Sequence, residues 1–583
     1  MCGIFAVINK EKLNINKCRR SLNLMHKRGP DWKIEKIIND KVYLGQAVLS
    51  MTGVKKKDIN QHYSFSKNYF VLLVGEIYNY KKLNIEELGG VDNKKISDTY
   101  VLANLFENNS IDEINKKIDG MYAYILFDYK KNNLIISRDP NGEKTLYVYQ
   151  NKKEIIICSE INPILSYKKE IKLNTNTLKN YFLTRHFISL EESIFKDIIK
   201  INPGDQIQLN LSNFTAKKIS SIKINDYIDS KIYNKNLKRK ESDLIEELDF
   251  LLKKNIKEMI PHNRKFAAIV SGGIDSSLVS HYICKNSNPN YLIYLNHIGK
   301  DWHTNKIKMF EKYLKKKIGI HNISEKMYYK NYVKSIHICN SPINSHSFVG
   351  NFINASIVRG KKCRAIFGGD GADELFGGYE TYLPKDFRND PNILDYTKIL
   401  KTKLFYHTKD QEIFKNKMRA RRKEAYSNYS FIAKKSDREI LSMMLMDATV
   451  QMESNAFRGS DLMSMNNSVE SRSLFYRKDI IKFALNLPLK FKINTKSTKF
   501  MMTKNILKKL FLKKFSKKLI LKKQGFAGFP NELKKYVGSV DKFILSKYIK
   551  PSNVKNYYSK NRNTQWKLLN TELYLKNVGK KYL

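Results

Sequence analysis

Cysteines, acidic residues and long apolar runs are all scarce in this chain of 583 residues. Six cysteines (2, 18, 158, 284, 339 and 363) are scattered without a single C-x-x-C pair. That spacing argues against a zinc site and a disulfide framework, and it fits a reducing cytoplasm. No run approaches the roughly 18 apolar residues of a membrane helix, so no membrane partner is expected. The opening Met1-Cys2-Gly3-Ile4-Phe5-Ala6-Val7-Ile8 is too short an apolar stretch, and lacks the basic leader, to read as a signal peptide. A G-x-x-x-x-G-K-[ST] phosphate loop is also missing. Acidic residues number 56 against 106 basic ones, a formal charge of +50. Such an excess invites nucleic acid, but it is mostly lysine, spread along the whole length. The densest place, Lys508 to Lys523, sets lysine pairs among Leu510, Phe511, Leu512, Phe515, Leu519 and Ile520. A solvated basic face over an apolar stripe is expected there, and a nucleic-acid partner is not.

What is present centres on Val270-Ser271-Gly272-Gly273-Ile274-Asp275-Ser276-Ser277, placed between the apolar run Phe266–Ile269 and the helix-like Leu278–Tyr282. Two adjacent glycines allow a tight turn and close approach of backbone to a ligand. The turn then delivers amides and hydroxyls to the positive end of a helix, an anion site. A second Gly-rich turn, Gly368-Gly369-Asp370-Gly371-Ala372-Asp373-Glu374, follows the strand-like Ala365–Phe367. In a parallel sheet the two turns face one crevice, and Asp275 and Asp373 would reach a triphosphate from opposite sides. Carboxylates beside phosphates require a metal between them.

Along the chain, residues 1–211 read as β-rich, with short runs at Ile4–Ile8, Val42–Leu44, Tyr69–Val74, Ala123–Phe127, Asn133–Ser137, Leu146–Tyr149, Ile155–Cys158 and Gln206–Leu209. Helical periodicity interrupts near Lys17–Lys27 and Asp98–Glu107. The polar, aperiodic 212–239 reads as a linker. Residues 240–583 then alternate strand and helix, the signature of a parallel α/β sheet, and after about 385 read as helical.

The two Gly-rich turns, with Leu375-Phe376-Gly377-Gly378-Tyr379, Ser464-Met465, Val469-Glu470-Ser471-Arg472, Leu487-Pro488 and Lys522-Lys523-Gln524-Gly525-Phe526, resemble the synthetase domain of glutamine-hydrolysing asparagine synthetases. The resemblance implies binding of ATP and Mg2+. A substrate carboxylate attacks the α-phosphate, and ammonia displaces AMP from the acyl-adenylate. Ser271, Gly272, Gly273, Asp275, Ser276, Ser277 and Gly369 are then expected at ATP, and Asp275 and Asp373 at the metal. Lys523 would neutralise the α-phosphate, and Asp370, one methylene shorter than the family's usual Glu, would stand near the incoming amine. Pro and Asp of the family's E-x-R-x-P-F-x-D are absent from Glu470–Arg477, and Asp461-Leu462-Met463-Ser464-Met465 departs from D-R-M-S-M.

In the first half, Cys2 before a small Gly3 would become the amino-terminal residue once Met1 is removed. Its own α-amine, with pKa near about 8, would then serve as base. Met1–Phe5 with Arg28-Gly29-Pro30-Asp31, Gly75-Glu76-Ile77-Tyr78-Asn79, Ser97-Asp98, Gly120–Ala123 and Arg138-Asp139 resembles the class II glutamine amidotransferase domain. The resemblance implies an N-terminal-nucleophile α+β domain of layered antiparallel sheets. It also implies Cys2 as nucleophile, the Gly75 amide as oxyanion donor, and Asp98, Glu76 and Arg28 at glutamine. By analogy a homodimer is expected. Two departures stand out: Val74 replaces the Asn that is the second oxyanion donor, and Val48 replaces the Arg that clamps glutamine's carboxylate. Loss of one such donor costs about 100- to 1000-fold in rate, and loss of the Arg removes roughly 1.5–3 kcal/mol of binding. A Cys2 nucleophile with weakened glutaminase activity is therefore expected. The expected function is asparagine synthesis from aspartate with glutamine or ammonia. The alternatives are the same chemistry on another carboxylate, or a tRNA-modifying ATP pyrophosphatase.

Overall fold

The computed structural model describes residues 2–583 except 54–55, 92–95, 187, 189, 263, 297–303, 392, 394, 401–408, 521–529, 540–541 and 548–561; of 530–532, 534 and 562–563 it describes the backbone alone. Two antiparallel sheets stack face to face in the first half. One has the order β2-β3-β1-β8-β7-β9, the other β11-β10-β6-β5-β4. The strands of the first sheet are β1 (Gly3–Asn9), β2 (Trp32–Ile38), β3 (Val42–Val48), β7 (Tyr147–Gln150), β8 (Glu154–Cys158) and β9 (Ile198–Lys200). Those of the second are β4 (Tyr69–Ile77), β5 (Gly120–Asp128), β6 (Asn133–Arg138), β10 (Asp205–Asn210) and β11 (Thr215–Ser221).

Strand periodicity explains the layering, since alternate side chains point to opposite faces. Ile4, Ala6 and Ile8 of β1 and Leu44 of β3 meet Phe70, Leu72 and Val74 of β4 and Ala123, Ile125 and Phe127 of β5 between the sheets. The intervening residues pack outward. Phe5, Val7 and Tyr43 meet the helices Ile15–Asn23 and Ile161–Tyr167. Val71, Tyr122 and Tyr124 meet the helices Tyr80–Leu88 and Asp98–Asn108. The result is the expected helix-sheet-sheet-helix sandwich.

The second half holds a five-stranded sheet in the order β14-β13-β12-β15-β16, every pair parallel. Its strands are β12 (Phe266–Ile269), β13 (Tyr291–Asn296), β14 (Ile318–Asn322), β15 (Ala365–Gly368) and β16 (Glu470–Ser473). The chain leaves β12 toward β13 on one side and returns as β15 on the other. The carboxyl ends of β12 and β15 therefore flank the topological switch point where such sheets bind ligands. Both Gly-rich turns emerge there.

Three expectations need correction. Residues 212–239 are not a bare linker: β11 extends the second sheet, and the helix Ser230–Lys238 follows. The helical reading after 385 misses β16, one of the sheet's two edge strands. The basic stretch is not simply solvated. In the helix Asn505–Lys514, Lys509 and Lys514 bond Glu241 and Asp249 of the helix Glu241–Met259, and Lys508 is buried against Phe500 O and Thr503 Oγ1. No helix among the described residues is long and apolar enough to cross a membrane.

Candidate functional site

Two sites lie one in each half. At the switch point, Gly272 takes φ +78°, the left-handed region that favours glycine, and turns the chain from β12 into the helix Ile274–Asn286. Ser276 braces the loop from inside, its Oγ 2.7 Å from Ser271 Oγ and 3.1 Å from Ser271 N. The helix cap is Gly273, which offers its first amides no side chain and so leaves them to an anion. Ser271 is exposed at the mouth, whereas Ser277 is fully buried. Gly369 lies directly against this loop: a Cβ there would come within 2.7 Å of Asp275 Cβ and 2.9 Å of Ser276 N.

Asp275 and Asp373 converge as expected, and what they converge on is Lys504. Its Nζ stands 2.5 Å from Asp275 Oδ2 and 2.8 Å from Asp373 Oδ1. Burial opposes a charged lysine, but the two carboxylates outweigh it and raise Lys504 above the ordinary lysine range. Lys504 was hidden from sequence reasoning among many lysines. Asp370, beside them, accepts from Ser460 Oγ at 3.0 Å. Burial, with Asp275 and Asp373 adding to it, raises its pKa against that hydrogen bond. Lys523 lies outside the described residues.

The carboxylate pair fits the expected metal. Two hard oxygen donors already aim at one positive charge, the ammonium standing in for a cation. Mg2+ is commonly held by one or two carboxylates, with phosphate oxygens and water completing the shell. No larger cluster of His, Cys, Asp or Glu suited to a metal occurs among the described residues.

In the first half, Cys2, Gly75 and Asp98 line one cavity of about 60 Å³, together with Gln46 and Val48. Gly75 takes φ +104°, and a Cβ on it would run into the Met121 carbonyl oxygen. Asp98 opens its helix and is held by Thr52 Oγ1 at 2.7 Å, Thr99 N at 3.0 Å and Ile77 N at 3.1 Å. Its pKa is raised by burial against these donors. Burial also raises the Cys2 thiol, opposed in part by the Gln46 side chain and the Leu49 backbone.

Arg28 and Glu76 do not join this cavity; they sit in a buried polar seam between the halves. Arg28 donates from Nε to Cys2 O at 3.1 Å and from Nη1 to Glu160 at 3.1 Å and Asp461 at 2.9 Å. Glu76 bonds Arg472, which also holds Glu470 at 2.7 Å. Glu453 takes Arg138 at 2.8 Å and Lys200 at 2.6 Å. Burial alone would raise Asp461 and Glu453, but their cations hold each at about 2. Asp461 shares its helix, Arg458–Met465, with Ser460. Neighbouring residues thus touch the acidic turn through Asp370 and the nucleophile's backbone through Arg28.

A thiol cavity in an αββα sandwich, joined to a nucleotide-type crevice in a parallel sheet, defines a two-domain ligase of the amidotransferase class. Comparison with known proteins agrees. A glutamine amidotransferase domain profile matches residues 1–219, and the asparagine synthase profile matches residues 247–574, more than half of the chain. The chain belongs to the asparagine synthase family. It is 22% identical to asparagine synthetase (glutamine-hydrolysing) 1 of Bacillus subtilis, over 86% of this chain and 84% of that one. It is 25% identical to asparagine synthetase 2 of the same species, over 66% and 53%. Over 41% of this chain and 44% of the relative, it is 25% identical to the microcin J25-processing protein McjC of Escherichia coli.

Proposed function

We propose that the protein forms amides at the expense of ATP, cleaving it to AMP and pyrophosphate, with aspartate as acceptor and glutamine or ammonia as nitrogen source. The observation that carries this reading is the convergence of Asp275 and Asp373 on Lys504 between two Gly-rich turns at the switch point. The acceptor carboxylate oxygen attacks the α-phosphorus. The bond to the β-phosphate breaks, and pyrophosphate leaves. The Lys504 ammonium and the amides at the start of the helix Ile274–Asn286 stabilise charge as it grows on phosphoryl oxygens. Mg2+ held by Asp275 and Asp373 would neutralise the triphosphate. Ammonia then attacks the acyl carbon and AMP departs. Asp370, its pKa raised, is suited to take the proton that the incoming nitrogen sheds.

At the other site Cys2 attacks glutamine's side-chain amide, releasing ammonia. Asp98 binds the substrate amine. Arg28 and Glu76 act from the seam, Arg28 fixing the Cys2 carbonyl. A second reading, an acceptor other than aspartate, is favoured by Val48 in the cavity wall and Val74 in the core behind it, which leave a poor glutamine site. The likeness to McjC is compatible with it. One assay decides: exchange of labelled pyrophosphate into ATP across a panel of carboxylic acids. Aspartate-dependent exchange supports the first reading, and exchange with another acid alone supports the second. No exchange with any acid refutes both.

A further inference from the structure

The cavity around Cys2 is lined in part by Gln46, which has no part in the reading above. Its position follows from strand register: Ile4 of β1 lies opposite Gln46 of β3. Cys2 is two residues from Ile4 and so shares its face, putting Gln46 in the diagonal relation that long side chains span. Gln46 is 2% exposed. Its Nε2 donates to Leu73 O of β4 at 2.8 Å, tying the carboxamide across the two sheets. Because Leu73 O only accepts, the bond fixes which end of the amide is nitrogen. Gln46 and Cys2 line the same cavity, and the Gln46 side chain pulls the thiol's pKa down against its burial. Among the described residues, Oε1 is buried without a hydrogen-bond partner. A buried carboxamide oxygen left bare is unfavourable unless a ligand completes it. A primary carboxamide, which carries two N–H groups on the atom that must leave, is the ligand chemistry that does so.

We propose that Gln46 is a catalytic residue of the thiol site, donating an N–H to the Cys2 sulfur as it gains negative charge and receiving on Oε1 an N–H of the substrate carboxamide. This rests on the reading of Cys2 as a nucleophile toward an amide. In the step it assists, the thiol proton passes to the α-amine set free by removal of Met1. The S–C bond forms, and the C–N bond breaks with return of that proton to nitrogen, which leaves as ammonia. Water then cleaves the thioester, giving the carboxylic acid and restoring the thiol. A site so built assists its sulfur from β3, the strand beside β1, independently of the oxyanion donor missing at position 74.

The test compares the full-length protein with Gln46→Met, which keeps the volume and removes both polar atoms. The rate of Cys2 alkylation by iodoacetamide is followed against pH, beside glutamine hydrolysis. Asp98, Asp58, Lys56 and His62 share the cavity and are unchanged, so a displacement of the profile reports on Gln46. The midpoint for Cys2 should move up by about one pH unit, and kcat should fall about 100-fold with KM changed less than about threefold. Gln46→Asn, which keeps both functions on a shorter arm, should recover part of each. Coincident alkylation profiles for Gln46→Met and wild type overturn the proposal. Should Gln46→Met fail to fold, Gln46→Glu, with no amide hydrogen, carries the same comparison, and a wild-type profile there overturns it equally. Absence of glutamine hydrolysis in the wild type would refute the substrate reading alone, because the alkylation profiles still judge the contact.

Discussion

Replacing Lys504 with alanine tests the synthetase site most directly. The ammonium lies 2.5 and 2.8 Å from two carboxylates, and its side chain is 6% exposed. At an effective dielectric of about 20, each attraction amounts to roughly 6–7 kcal/mol. Withdrawing the ammonium from water offsets much of this, so breaking the group should cost about 3–5 kcal/mol net. The loss arises chiefly because Asp275 and Asp373 then repel each other, with Asp370 adding to them. A divalent cation can replace the lysine as their counter-charge. Lys504→Ala should therefore unfold at lower urea without magnesium and recover part of the difference with it, whereas wild type gains less from magnesium. Pyrophosphate exchange should fall at least about 100-fold in either case, because charge on the phosphoryl oxygens loses a positioned partner. Exchange within about threefold of wild type, or equal stabilisation of both proteins by magnesium, would refute this account of the site.

Cys2→Ala should abolish glutamine-dependent amide formation and spare both ammonium-dependent synthesis and pyrophosphate exchange, measured side by side. Asp461→Leu should destabilise by about 3–5 kcal/mol in urea titration, because it strands Lys144 in the seam and leaves Arg28 only one of its two carboxylates, Glu160. For Asp461 and Glu453 the folded pKa, about 2, lies below ordinary carboxylate values. Their contribution is complete above roughly pH 4.5 and is lost as pH falls toward 2, so acid titration by circular dichroism should show stability declining across that window. Lys492 is buried, and burial alone drops its pKa to about 7. Lys492→Met should raise stability at neutral pH by about 1–4 kcal/mol in thermal or urea unfolding, because no ammonium need then be desolvated.

Legibility in the sequence followed the hydrophobic effect. Strands such as β1 and β5, whose alternate residues fill the space between sheets, could be read from pattern, as could the helix Asp98–Asn108. β11 could not: Thr-Ala-Lys-Lys-Ile-Ser-Ser is a polar, exposed edge, and nothing in its composition separates it from a loop. β16 failed for the opposite reason. Its Glu470 and Arg472 are buried, but in ion pairs instead of an apolar core, so their burial leaves no hydrophobic signature. The two Gly-rich turns were legible because tight backbone geometry demands particular residues at fixed spacing. Lys504 was not, since one lysine looks like another until folding brings it between Asp275 and Asp373. Gln46 belongs to no motif, and the register of β1 with β3 was needed to see it beside the thiol.

The seam carries one more consequence. Most domain pairs adhere by hiding grease, and each partner, once alone, tends to clump. Here much of what is hidden at the join is ionic: Arg28, Lys144, Arg138 and Lys200 on one side, Asp461 and Glu453 on the other. Cut at the stretch before Glu241, each fragment would turn charged groups of both signs to solvent beside the apolar side chains that also cross the join, since Glu76 and Arg472 pair the other way round. The pieces would find each other again by opposite charge, and background electrolyte would loosen their grip.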